Sequence, residues 1–129
     1  MPVSPLLSRL ARIALVIAAL VAFALAIMPT MPGPESMNDK VNHALAFFVL
    51  SGLAHAGWPK AGPLRIFLML TAFGGLIEVA QYLMDAGRAA ELLDLVADMV
   101  GILAGLIVAR LMLRFAPELV AEVEESLGN

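Results

Sequence analysis

The residues from Leu92 to Leu113 read LLDLVADMVGILAGLIVARLML, an apolar run interrupted by Asp94, Asp98, Gly101 and Gly105. A hydrocarbon core of ~30 Å is crossed by about 20 helical residues, so this run is long enough to span it. A charge in that core costs roughly 2.5–3.5 kcal/mol even on the lenient insertion scale, so embedded acids usually have a partner and a role. Helical spacing puts Asp94, Asp98, Gly101 and Gly105 on one face, because residues three, four and seven apart stack along a helix. A Gly-x-x-x-Gly pair on that face lets another helix backbone come close in lipid.

The rest of the chain is of the same kind. Its 129 residues are 61% hydrophobic and 15% charged, against about 45–50% and about 25% in a soluble domain. Mean hydropathy is +0.92, which excludes a soluble enzyme. The net charge of -3 comes mostly from Glu118, Glu122, Glu124 and Glu125 near the end, and nothing is basic enough for nucleic acid. Cysteine is absent, which removes disulfides, thiolate metal sites and cysteine nucleophiles together.

Apolar stretches at about 12–28, 41–57, 64–84 and 92–113 are separated by Pro-, Gly- or charge-rich breaks. The fold class expected is all-α: a polytopic membrane protein with four transmembrane helices in an antiparallel bundle, since short loops make neighbours antiparallel. The membrane domain is residues 1–115, and 116–129 is an acidic cytoplasmic tail forming a short, frayed surface helix. Arg9, Arg12 and the small-residue pattern Ala24-Leu25-Ala26 also allow a cleaved signal peptide, but the long apolar run and the later spans favour a retained helix. Arg9, Arg12, Lys60, Arg65, Arg110 and Arg114 fall on one side of a four-span chain, with Lys40 and Arg88 on the other. The positive-inside bias then puts both termini in the cytoplasm, with Trp58 an interfacial anchor there.

Asp39, Lys40 and His43 open the second helix, Glu78 and Gln81 close the third, and Arg88, Glu91, Asp94 and Asp98 lead into the fourth. At 1.5 Å per residue, Glu78 and Asp98 each lie about 10 Å below the same membrane end. The spacing predicts a polar pocket open to the outer face and closed below, where Gly74 and Gly75 of the third helix meet Gly101 and Gly105. Plainer roles stand beside this one. Asp39 is a natural N-cap, Arg88 and Glu91 can form a solvated ion pair of little worth, and His55 lies at the opposite interface. Phe47 and Phe48 read as packing residues. Glu78, Asp94 and Asp98 can equally form a buried network that fixes helix packing.

The segments Asp39-Lys40-x-x-His43-x-x-x-Phe47, Gly75-x-x-Glu78-x-x-Gln81 and Arg88-x-x-Glu91-x-x-Asp94-x-x-x-Asp98-x-x-Gly101-x-x-x-Gly105 resemble the VanZ-like family of small membrane proteins. They cover about half the chain and leave out the first helix and the tail. The resemblance implies a bacterial cytoplasmic (inner) membrane location and a link to the cell envelope, the family being named for a protein of teicoplanin resistance. Family members often carry Asn where this chain has Asp98, so its pocket is more acidic.

Three functions follow. In the first, a membrane enzyme or lipid-modifying factor acts at the outer leaflet. His43 is its general acid or base, oriented by Asp39 and working with Glu78, Asp94 and Asp98. Lys40, Gln81, Arg88 and Glu91 bind the substrate, an envelope lipid or glycan precursor. Carboxylates with one imidazole also suit a divalent cation such as Mg, Ca or Mn better than zinc, although no particular cofactor is indicated. In the second, a small proton-coupled transporter or lipid-binding subunit works as a homo-oligomer in the lipid bilayer. In the third, the network only staples helices.

Overall fold

The computed structural model describes residues 3–28, 37–84, 92–115 and 117–128, and these form helices and their connecting turns, with no strand among them. The helices are α1 (Pro5–Ile27), α2 (Met37–Gly57), α3 (Pro63–Met84), α4 (Leu92–Phe115) and α5 (Pro117–Gly128). Ser4 caps α1 by accepting a hydrogen bond from the Leu7 N–H, and Pro5 follows as the first helical residue, where its missing N–H costs nothing.

Three helices, α1, α3 and the Leu92–Arg114 part of α4, are long and apolar enough to cross a membrane. Only 6% of the apolar window of α1 is buried, against 28% for α3 and 33% for α4. Leu20, Leu64, Met69 and Leu92 are among the large apolar side chains left exposed. A surface of this kind is unfavourable in water at about 25 cal/mol per Å² and is suited to lipid. α2 does not reach the same hydropathy, because Asp39, Lys40 and His43 lie in its first two turns.

α2 packs against α1, α3 and α4. Ser8 Oγ of α1 donates to the Ala56 carbonyl at 3.0 Å, and Arg12 Nε donates to the Gly57 carbonyl at 2.6 Å. These bonds join the start of α1 to the end of α2, so the two run antiparallel. The turn from Trp58 to Gly62 reverses the chain into α3. The Ala61 N–H donates to the Trp58 carbonyl, and Gly62 has φ 81°, a conformation that strains residues with a Cβ. The core between the helices includes Phe47, Leu50, Ile77, Ile102 and Leu106.

The closest approach is between α2 and α4, which lie parallel. A Cβ added at Gly101 would stand 2.9 Å from the Ala44 carbonyl carbon and 3.0 Å from its Cα. One added at Gly105 would run into Ser51 Oγ and the Phe48 carbonyl oxygen. The expected small-residue seam is therefore present, but its partner is α2, not the glycines of α3. Gly75 has open space where its side chain would be, whereas Gly74 is buried against Asp98, Leu95 and Phe47. The expected role of Gly75 in packing thus belongs to its neighbour.

One further boundary differs from expectation, and one agrees with it. α2 begins at Met37, so Asp39 lies inside the first turn rather than capping it. The tail is the 12-residue helix α5, tethered where Glu124 Oε1 accepts the Ser4 N–H at 2.8 Å.

Replacing Gly101 by Ala is expected to destabilise the protein by about 1–3 kcal/mol, the usual cost of overpacking. Gly52→Ala, where nothing lies within 4 Å, is expected to be neutral or to stabilise by up to about 1 kcal/mol through helix propensity. Thermal unfolding of both variants in detergent checks the pair.

Candidate functional site

Parallel packing of α2 on α4 brings the first two turns of each helix side by side. Asp94 and Asp98 lie one helical turn apart on the face of α4 turned to α2, and both are fully buried. Ionised carboxylates at zero exposure require cations or hydrogen-bond donors close by, and α2 supplies them at the matching positions. Lys40 Nζ lies 3.1 Å from Asp94 Oδ1. His43 Nδ1 lies 3.0 Å from Asp98 Oδ1.

The other imidazole nitrogen faces two more carboxylates. His43 Nε2 is 3.6 Å from Asp39 Oδ2 and 3.9 Å from Asp94 Oδ2, beyond hydrogen-bonding range. The partner that fixes the imidazole is therefore Asp98, not Asp39 as the helical spacing alone suggests. With Asp98 ionised, Nδ1–H donates to it, and in the neutral form of the ring the lone pair is then on Nε2. This is the arrangement in which a carboxylate orients a histidine to act as a proton acceptor.

Small residues make the cluster fit. Gly74 of α3 leaves space for Asp98 Oδ2, which would lie 2.7 Å from a Cβ at that position. Asp94 Oδ2 and Asp98 Oδ2 are both buried without a hydrogen-bond partner among the described residues. Asp39, His43 and Asp94 each offer a ligand atom, all within 4.8 Å of one another. Two carboxylates and one imidazole match a hard divalent cation in donor type. Lys40 already supplies a positive charge to Asp94 Oδ1 in the same place.

The cluster borders a cleft of about 460 Å³. Asp39, Asn42 and His43 form its polar side, and Ala22, Leu25 and Ile77 are among its apolar residues. The cleft lies where α1 ends beside the beginning of α2, and of the expected site residues Asp39 and His43 line it while Lys40, Glu78, Gln81, Asp94 and Asp98 do not. Its apolar wall from α1 could not be anticipated, because nothing in the sequence pattern of α1 marks it.

The other expected site residues divide. Gln81 is buried, and its Nε2 donates to the Ala26 carbonyl at 2.9 Å. That carbonyl lies in the last turn of α1, where intrahelical donors run out, so Gln81 ties α3 to α1. Glu78 is half-buried and belongs to none of the ion pairs given above, yet it has a polar interaction of its own. Arg88 and Glu91 lie outside the described residues. Phe47 is core and Phe48 half-buried. Asn42 also borders the cleft, and a lone uncharged amide gives no sign of this in the sequence.

No family model, curated protein or solved structure matches the chain.

Removing one member of a buried ion pair costs about 3–5 kcal/mol because the other charge is left uncompensated, and apolar replacement of both members is often neutral. Lys40→Met is accordingly expected to destabilise by about 3 kcal/mol, the lower end of that range, because Lys40 retains 19% side-chain exposure. Adding Asp94→Leu to that variant is expected to restore most of the loss. A double-mutant cycle on thermal unfolding measures the coupling, and additive losses would mean that the two side chains act separately.

Proposed function

We propose that this chain is a four-span membrane protein of the VanZ-like kind that binds an amphiphilic component of the cell envelope at the outer face. In this reading α2 is the fourth span, its polar turns sheltered by pairing with α4. His43 acts as a proton acceptor against the bound molecule, oriented by Asp98. Lys40 and Asp94 hold α2 and α4 in register one turn nearer the outer face. The orientation rests on the basic-residue bias, and the link to antibiotic or envelope-stress tolerance rests on the sequence resemblance.

One observation carries the reading: the cleft beside the cluster has two chemistries. Asp39, Asn42 and His43 offer hydrogen bonds at one side, while Ala22, Leu25 and Ile77 offer an apolar wall. A lipid-linked precursor or a lipid headgroup with its chain has that same division. The polar end would meet His43 Nε2, and the chain would lie along α1. The volume of about 460 Å³ falls within the ~300–1,000 Å³ usual for small-molecule sites.

A structural reading is favoured by a different observation. Lys40–Asp94 and His43–Asp98 both join α2 to α4, so the network can serve as a staple without touching any ligand. A proton-coupled transporter draws on the same carboxylates, but the short bundle would have to assemble with further copies to enclose a path.

Ala22→Phe separates these readings, because it fills the cleft without removing a polar atom. Under the proposal it abolishes envelope-stress tolerance in cells while expression and melting temperature stay near wild type, and His43→Gln lowers tolerance by more than its loss of stability accounts for. If Ala22→Phe retains full tolerance, the cleft is not the site of action. If tolerance across His43→Gln, Asp94→Asn and Asp98→Asn falls only in proportion to stability, the staple reading replaces it.

A further inference from the structure

At the opposite end of the bundle, cations gather from three separate elements. Arg9 and Arg12 come from α1, Lys60 from the turn after α2, and Arg65 from the first turn of α3. Together they line a cleft of about 630 Å³ that also includes Trp58. No acidic residue is among the described lining residues. Like charges converging in one cleft repel each other, and repulsion strengthens where protein displaces water. An anion bound between them relieves it.

Arg12 is held in place before any ligand arrives. Its Nε donates to the Gly57 carbonyl at 2.6 Å, and its guanidinium carbon stands 5.1 Å from the centroid of the Trp58 ring. The bond to Gly57 uses Nε alone and does not engage the terminal nitrogens of the guanidinium. A planar guanidinium fixed in this way matches the geometry of a phosphate. Trp58 is 40% exposed, and an amphipathic ring at a helix end is what the headgroup level of a bilayer selects.

A second cavity indicates what the anion is attached to. It has a volume of about 480 Å³ and shares Trp58, Ala61 and Arg65 with the basic cleft. Beyond these residues its walls are apolar, including Leu15, Met69 and Leu70. A free phosphate has no use for that continuation, but an acyl chain does. We infer that this end of the protein holds an anionic phospholipid, its phosphate among Arg9, Arg12, Lys60 and Arg65 and an acyl chain along the groove between α1 and α3. This site is separate from the His43 cluster and does not depend on the function proposed for it.

The test uses the full chain purified in mild detergent, stripped of lipid, and then supplied with phosphatidylglycerol, phosphatidylcholine or inorganic phosphate. Native mass spectrometry reads the bound species, and thermal unfolding reads stabilisation. Phosphatidylglycerol is expected to remain bound at least tenfold more than phosphatidylcholine, and inorganic phosphate to give no comparable stabilisation. Arg9→Gln and Arg65→Gln are each expected to weaken phosphatidylglycerol binding by about fivefold, the effect of one basic residue at an anionic surface. Both side chains are exposed, so these variants should fold. Arg110 is an exposed cation near the end of α4 and does not line the cleft, so Arg110→Gln should leave binding unchanged. Equal retention of the two lipids would overturn the inference. So would an Arg110→Gln loss matching that of Arg65→Gln, since general surface charge would then account for binding. Stabilisation by inorganic phosphate equal to that by lipid would replace the lipid with a soluble anion.

Discussion

The burial of Asp94 and Asp98 at zero exposure dictates how the helices around α4 must pack. Two carboxylates within an apolar helix cannot face lipid, and they cannot face an apolar helix either. They require a partner helix that brings donors at the same heights, and Lys40 and His43 on α2 meet that requirement. The glycines further along α4 have a matching role. Gly101 and Gly105 let α2 come close enough, past Ala44, Phe48 and Ser51, for the pairs above them to form. Polar attraction at one end and backbone proximity below it thus fix the same contact.

That contact has consequences for chemistry. Because Asp98 engages Nδ1 of His43, the other nitrogen is directed toward Asp39 and Asp94 at distances too long for hydrogen bonds. A buried network that satisfied both ring nitrogens would suit a purely structural role better. Here Nε2 faces a carboxylate-rich space beside a cleft that α1 closes with apolar side chains. The two ends of the bundle also differ in sign. Carboxylates dominate where α2 and α4 begin, whereas arginines and Lys60 line the cleft where α1 and α3 begin, with Glu124 of α5 bonded to Ser4 nearby. A bilayer-spanning protein with this division meets different headgroup chemistry at each surface.

Much of the helical architecture could be read from the sequence. The apolar runs, the Pro and Gly breaks and the length needed to cross a bilayer together place α1, α3 and α4 to within a few residues. α1 is the exception at its start, since Ser4 and Pro5 begin the helix well before Arg12. The small-residue face of α4 was also legible, because Gly-x-x-x-Gly has one dominant use in lipid. Its partner was not. The pattern states that a backbone comes close but not which one, and Gly74 and Gly75 on α3 looked as suitable as Ala44 on α2. The same limit made Asp39 appear to be the orienter of His43. Helical spacing reveals neighbours within a helix, whereas the shorter contact, to Asp98, crosses between helices.

Composition and periodicity alone make this chain helical, rich in lipid-compatible surface, and equipped with a set of polar residues too costly to be incidental. Those properties depend on composition and on periodicity along one chain direction, which are local. What interhelical packing adds is that α2 lies directly against α4, that Asp98 holds His43, and that Gln81 secures α1 instead of lining the pocket. It also decides that Trp58 and Arg65 join a basic cleft to an apolar one. The physical reason is that these arrangements depend on the azimuth and height at which helices meet. Interhelical packing fixes both, and a one-dimensional pattern leaves them open.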